Sequence, residues 1–214
     1  RAATGAKFPD QPADPIIVHP DIRRLLMKMR TMTEGCRALA LWIGHELDIS
    51  TSHPETERRA QADDLVALMT PIVKSMLTDL GFSAANDGMQ VFGGHGYIRE
   101  NGMEQLARDA RITQIYEGTN GIQALDLVGR KLPMGTGRLA RRFFHPVAAD
   151  LERMAGVPGM MDFVMPMAKA FGRLQQATLW LGKAGTANQD DAGAAATEYL
   201  RMFGFVAIGY MWCR

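Results

Sequence analysis

The sequence is poor in cysteine, in charge of one sign and in long apolar runs, and each shortage removes a class of protein. Only two cysteines, Cys36 and Cys213, occur in 214 residues. No C-x-x-C pair and no histidine at ligand spacing accompanies them, so they read as reduced, packed thiols rather than a disulfide or zinc framework. His45-Glu46 lacks the second histidine of a zinc helix, and no metal is expected. Lys and Arg total 24 against 23 for Asp and Glu, with no block of like charges. The long-range field that nucleic acid or an anionic membrane requires is therefore missing. No run approaches the about 18 apolar residues of a membrane span, and no basic, apolar and small-residue signal opens the chain. No span is expected, and the cytoplasm is the expected location. Strands are missing too: nowhere do four or more β-branched residues alternate with polar ones.

What is there is helical periodicity. Residues 1–19 are rich in proline and read as a linker. Pro20 suits a first helical position, and Ile22, Leu25, Leu26, Met29, Met32, Cys36, Leu39, Ala40, Ile43 and Leu47 recur three or four apart, forming one long apolar stripe. Ser50–Pro54 breaks it. A second stripe runs through Leu65, Leu68, Met69, Ile72, Val73, Met76, Leu77 and Leu80, with Pro71 expected to kink it or shift its register. Gly81 permits a bend and Ser83 a new cap, before Gly93, Gly94 and Gly96 end the helical pattern. A shorter helix is expected from about Met103 to Arg111, then a connector to Gly118, then a helix capped by Thr119 and ending near Lys131. Beyond Gly135 three more helical segments follow, about Leu139–Met154, Met161–Lys183 and Ala192 to the end. Met154, Met160, Met161, Met165 and Met167 read as adaptable core.

These patterns predict an all-α chain: an up-and-down helical bundle over 20–134 with an appended helical subdomain over 135–214. The chain opens on Arg and stops inside an apolar periodic segment without a capping glycine. A longer protein is expected around it.

The chemistry concentrates in 90–123. Glu117 stands between Tyr116 and Gly118, a carboxylate beside an aromatic wall and a residue without a side chain. Alone, such a glutamate reads as a solvated loop residue. Two further motifs accompany it, however: Gln90-Val91-Phe92-Gly93-Gly94-His95-Gly96-Tyr97 and Arg108-Asp109-Ala110-Arg111, ahead of Ile115-Tyr116-Glu117-Gly118-Thr119. Their order and spacing resemble the C-terminal helical domain of the acyl-CoA dehydrogenase family, loosely over Pro20–Leu132. Residues 135–214 resemble the C-terminal extension of a longer bacterial subgroup. Gly121 departs from the pattern, standing where many members carry a polar side chain.

The resemblance implies FAD as cofactor, an acyl-CoA substrate, an N-terminal helical domain and a β-barrel outside this sequence. It makes Glu117 the base that removes the α-proton while hydride leaves the β-carbon for flavin N5, giving a trans-2-enoyl-CoA. That work calls for a carboxylate shielded from water, since desolvation raises a carboxylate's pKa toward that of a carbon acid. Tyr116 and Gly118 are implied at the substrate. Gln90, Val91, Phe92, Gly93, Gly94, Gly118, Thr119 and Asn120 are implied at the flavin, partly one held by a neighbouring subunit of a homodimer or homotetramer. Arg108, Asp109 and Arg111 read as ion-pairing helix residues, and His95 as solvent-facing or near ribose. An electron-transfer flavoprotein is the implied acceptor, and an acyl-CoA oxidase reacting with oxygen is the near alternative. From another class, the long stripes also suit a non-catalytic helical oligomerisation module.

Overall fold

The computed structural model describes residues 4–214. Among them are seven α-helices and no β-strand: α1 Pro20–Ser52, α2 Thr56–Phe92, α3 Met103–Thr113, α4 Asn120–Asp126, α5 Met134–Ala155, α6 Met161–Ala187 and α7 Gln189–Cys213. The all-α expectation holds. Short 3-10 turns cover Ile16–Val18, Gly93–Tyr97 and Arg99–Asn101, and a π-helical turn, Leu127–Lys131, prolongs α4.

Several local expectations need correction. α2 runs on through Pro71, Gly81 and Ser83 as one helix, because apolar positions continue on both sides of Gly81. The expected cap Ser83 instead accepts a hydrogen bond from Lys28 Nζ at 3.0 Å. Ala184–Asp191 was expected to be a connector, yet only Asn188 separates α6 from α7; its side chain caps α7 by accepting from Asp190 N at 3.1 Å. α5 begins earlier than its pattern, but Gly135, Thr136 and Gly137 have φ of 57°, 53° and 79°, so the regular right-handed helix starts after them. The methionine stripe divides: Met154 and Met167 are buried, whereas Met161 and Met165 are exposed.

The chain forms two compact units. The first joins the described part of Arg1–Glu34 to Leu80–Ile112. It buries Leu25 and carries, nearer its surface, an ion pair between Lys28 and Asp87 at 2.7 Å and the exposed Arg111 guanidinium 6.0 Å from the Phe82 ring centre.

The second unit, Gly35–Asp79 with Thr113–Arg214, carries most of the core. Leu68, Met69 and Ile72 of α2, Phe143 of α5, Leu174 of α6 and Phe203 of α7 are fully enclosed. α7 packs on both α6 and α4. An aromatic cluster fills the centre: the Phe143 ring lies 4.8 Å from Phe203, 6.2 Å from Tyr210 and 6.4 Å from Trp42. Tyr199 donates to Thr178 at 2.7 Å, and burial pushes its phenol pKa up. Cys36 and Cys213 are free and buried, with burial raising both thiol pKa values.

The stretch Thr56–Tyr97 is, by length and composition, long and apolar enough to cross a membrane, which narrows the expectation of no span. Within it Leu68, Met69, Ile72 and Met76 are buried in protein, as in the core helix of a packed bundle.

Tyr210 donates a short hydrogen bond to Asp150, and Arg153 pairs with the same carboxylate at 2.8 Å. The Tyr210 bond, then Arg153, hold the Asp150 pKa below its ordinary 3.8. Folded Asp150 thus binds a proton less readily than the unfolded chain does. Its contribution is complete above the ordinary value and is lost as pH falls through the depressed one. Tyr210→Phe is expected to cost about 1 kcal/mol at neutral pH, a modest figure because the Asp150 side chain remains 25% exposed. In acid denaturation the difference between wild type and variant should shrink as pH drops below 3.8; a pH-independent difference would remove this account.

Candidate active site

The loop carrying Glu117 is anchored by a polar row on α2. Lys74 with Thr78, and Ser75 with Asp79, repeat at i, i+4 and so present one face of the helix. Lys74 Nζ donates to Gly118 O and to Asn120 Oδ1, both at 2.8 Å. Asn120 Nδ2 in turn donates to Asp79 Oδ1 at 2.6 Å and to Thr78 Oγ1 at 3.0 Å. Gln114 Nε2 reaches the same Asp79 oxygen at 2.6 Å, and Gln114 O accepts from Asn120 N at 3.2 Å. Both ends of the loop are therefore pinned to α2.

Between these pins the backbone turns left-handed twice, at Glu117 with φ 52° and at Gly118 with φ 86°. Glycine accepts that conformation freely, but for glutamate it costs about 1–2 kcal/mol. The strain is held by Gln123 Nε2, which donates to Glu117 O at 3.4 Å, and by the Lys74 bond to the next carbonyl. A side chain at 118 would also strike Gln123, with a Cβ 2.9 Å from its Nε2. Such strain persists where the surroundings over-determine it, often at functional sites.

Thr119 caps α4, its Oγ1 accepting from Ile122 N at 3.3 Å, and the hydroxyl proton stays available to a further acceptor. Asn120, which the family resemblance puts at the flavin, has both amide donors and its oxygen committed to α2. It acts in this chain as the brace of the loop. Tyr116 and the Glu117 side chain are exposed. The shielding that proton abstraction requires is not supplied by the packing of the second unit.

The glycine-rich segment belongs to the first unit. Gln90, Phe92, Gly93 and Gly94 are exposed and Val91 is half-buried. Gly93 is left-handed at φ 61°, and a Cβ on either Gly93 or Gly94 would meet only open space. Their backbone is accessible to a bound group, as a phosphate cradle requires. Gly96 is different: it is buried, and a Cβ there would sit 2.4 Å from Met89 O and 2.9 Å from Met89 Cα. Gly96→Ala should therefore distort the turn and cost about 1–3 kcal/mol, read by thermal unfolding; an unchanged midpoint would contradict this packing. His95 is exposed, its carbonyl accepting from Asn101 Nδ2 at 2.7 Å. Asp109 accepts from Gln105 Nε2 at 2.7 Å, along the exposed side of α3.

The sequence reading missed Lys74, Thr78, Asp79 and Gln123 as site-builders. The available signal was the pair of polar i, i+4 steps interrupting the apolar stripe of α2.

Comparison with known proteins places these features in a family. Residues 3–132 match the family model described as acyl-CoA dehydrogenase, C-terminal domain, and residues 143–214 match one described as acetyl-CoA dehydrogenase C-terminal like. The chain is 41% identical over 203 residues to 3-methylmercaptopropionyl-CoA dehydrogenase of Ruegeria pomeroyi, covering 94% of this chain and 34% of that protein. It is 32% identical over 163 residues to a butyryl-CoA dehydrogenase of Syntrophomonas wolfei, covering 76% of this chain and 27% of that protein. The chain thus spans about a third of the length of the first relative and about a quarter of the second. Among solved structures, Caenorhabditis elegans ACDH-11 in complex with C11-CoA superposes with a TM-score of 0.69 at 20% identity, covering 90% of this chain and 32% of that one; this likeness concerns the fold. With one family model spanning most of the bundle and a second spanning the extension, the chain belongs to the acyl-CoA dehydrogenase family.

Proposed function

We propose that this chain supplies the proton-abstracting carboxylate of an FAD-dependent acyl-CoA dehydrogenase that converts an acyl-CoA thioester to its trans-2-enoyl-CoA. The observation that carries the proposal is Glu117 itself: a glutamate in left-handed backbone, on a loop fastened to α2 at Gly118 and Asn120, and exposed at the surface of its unit. A solvated loop glutamate needs no such brace.

In this reading Glu117 takes the α-proton and its backbone N–H polarises the thioester carbonyl. Tyr116 walls the acyl group, and Gly118 lets the backbone approach the flat reactants. Lys74 and Asn120 hold the loop so that the carboxylate meets the α-carbon at hydrogen-bond range. The open backbone at Gly93 and Gly94, beside Gln90, Val91 and Phe92, fits the ADP half of a flavin from a neighbouring subunit of a homodimer or homotetramer. Thr119 would reach the pyrophosphate. Bound FAD would supply the acceptor for the hydride leaving the β-carbon. Water is excluded by the rest of the longer protein, and an electron-transfer flavoprotein takes the electrons onward.

Anaerobic titration of the full-length, FAD-loaded protein with acyl-CoA thioesters of different length, including a sulfur-containing one, tests this reading. Bleaching of the flavin by at least one of them, with enoyl-CoA formed in equal amount, is the expected result. A flavin left oxidised by every thioester would end it, and reoxidation by oxygen at turnover rate would reassign the enzyme as an oxidase.

A further inference from the structure

The second unit contains a cleft of about 560 Å³ whose lining is dominated by guanidinium groups: Arg58, Arg138, Arg141, Arg142 and Arg214. Nothing in the proposed dehydrogenation uses it. Glu46 and Asp150 also line it, and Asp64 lies behind the wall, so three carboxylates face five arginines. The excess is positive.

The arrangement of these charges matters more than their number. Asp64, only 8% exposed, accepts two bonds of 2.9 Å from Arg138 Nε and Nη2 and a third of 3.3 Å from Arg142 Nε. One buried carboxylate thus aligns two guanidinium groups and neutralises only one of them. Glu46, equally buried, fixes Arg58 through its Nη2 at 2.9 and 2.7 Å. Arg141 is held by its Nη1 on Thr136 O at 2.8 Å, within the left-handed turn that starts α5. The remaining nitrogens of Arg58, Arg138, Arg141 and Arg142 make no hydrogen bond among the described residues. Guanidinium forks fixed on one edge and open on the other match the paired oxygens of a phosphate. Trp42 forms an apolar wall beside them, with the Arg214 guanidinium 5.7 Å from its ring.

We infer that this cleft binds a small phosphorylated anion, held by Arg141 and Arg142 with Arg138 and Arg58 around it. Carboxylates buried on the protein side of the arginines orient them as outer-shell partners, so the site is built before the ligand arrives. Monocarboxylates would be held less well, because a single carboxylate cannot engage forks arriving from both α2 and α5. A phosphate or pyrophosphate group can. The inference stands apart from the role of Glu117.

The test is calorimetric titration of the full-length protein with inorganic pyrophosphate and, separately, with ADP. One ligand per chain should bind with a Kd below about 1 mM, and binding should weaken as salt is raised. Arg141→Gln with Arg142→Gln should weaken it at least about tenfold, while Arg138 keeps Asp64 paired and the fold intact by thermal unfolding. Arg173→Gln, an exposed charge on α6 outside the cleft, should leave binding unchanged. Equal affinity for the two probes assigns the site to phosphate alone, and tighter ADP assigns it to a nucleotide whose base meets Trp42. No binding of either probe to the wild-type protein, or binding that the folded double variant retains in full, overturns the inference.

Discussion

Glu117→Gln in the full-length protein is expected to abolish dehydrogenation while leaving the flavin bound. The change removes a proton acceptor but almost no volume. It also spares the structure around it, since the loop is held through the carbonyls of residues 117 and 118 and the side chain of Asn120, not through the Glu117 carboxylate. A glutamine faces the same left-handed backbone cost as glutamate, so the stability of the unit should move by well under 1 kcal/mol. The catalytic loss should be about three orders of magnitude or more, as removal of a positioned general base produces. It should fall on kcat more than on KM, because the thioester is held by other groups. A variant that keeps near-normal turnover would mean that another base does this work.

The largest effect on stability is expected from Phe143→Ala. Phe143 is fully buried and its ring is within 6.4 Å of those of Trp42, Phe144, Phe203 and Tyr210. It therefore joins side chains of α1, α5 and α7 in one cluster. Removing the ring loses its transfer free energy and opens a cavity that surrounding rings fill only partly, for about 3–5 kcal/mol. Lost ring–ring contacts are part of that figure. In a domain with ordinary marginal stability this is a large fraction of the total. Thermal unfolding should show a much lower midpoint, and Phe143→Leu should recover part of it. A loss below about 1 kcal/mol would mean that α5 and α7 are not mutually dependent through this cluster.

Much of the helical framework was legible in the chain because helix periodicity is a local property. Pro20 and the cap at Thr119 stand where the residue types required, whereas the break expected over Ser50–Pro54 falls later, with α1 running on to Ser52 and α2 opening at Thr56. Burial was less legible even on a clear stripe: Leu39 and Ile43 are buried, while Leu26 and Leu47, read as part of the same stripe, are exposed. Which neighbour covers a stripe is decided by other helices. Ser83 shows the same limit, since its hydroxyl could cap a new helix or serve Lys28, and tertiary packing chose the second. At the candidate site Glu117 was recognisable from its flanking motifs, but its brace was not. Lys74 and Asn120 are 46 positions apart, and no local pattern pairs them. The arginines at 138, 141 and 142 cluster visibly in sequence, yet it is Asp64, 74 positions from Arg138, that turns two of them into aligned forks.

The central claim, that the carboxylate of Glu117 removes the α-proton, is tested most directly by hydrogen exchange at the substrate α-carbon. The full-length protein would be incubated in D2O with an acyl-CoA thioester that cannot lose a β-hydride, and deuterium at the α-carbon followed by NMR. The account predicts steady α-deuteration by the wild-type protein and none above the protein-free rate with Glu117→Gln. Exchange by that variant at the wild-type rate would contradict it.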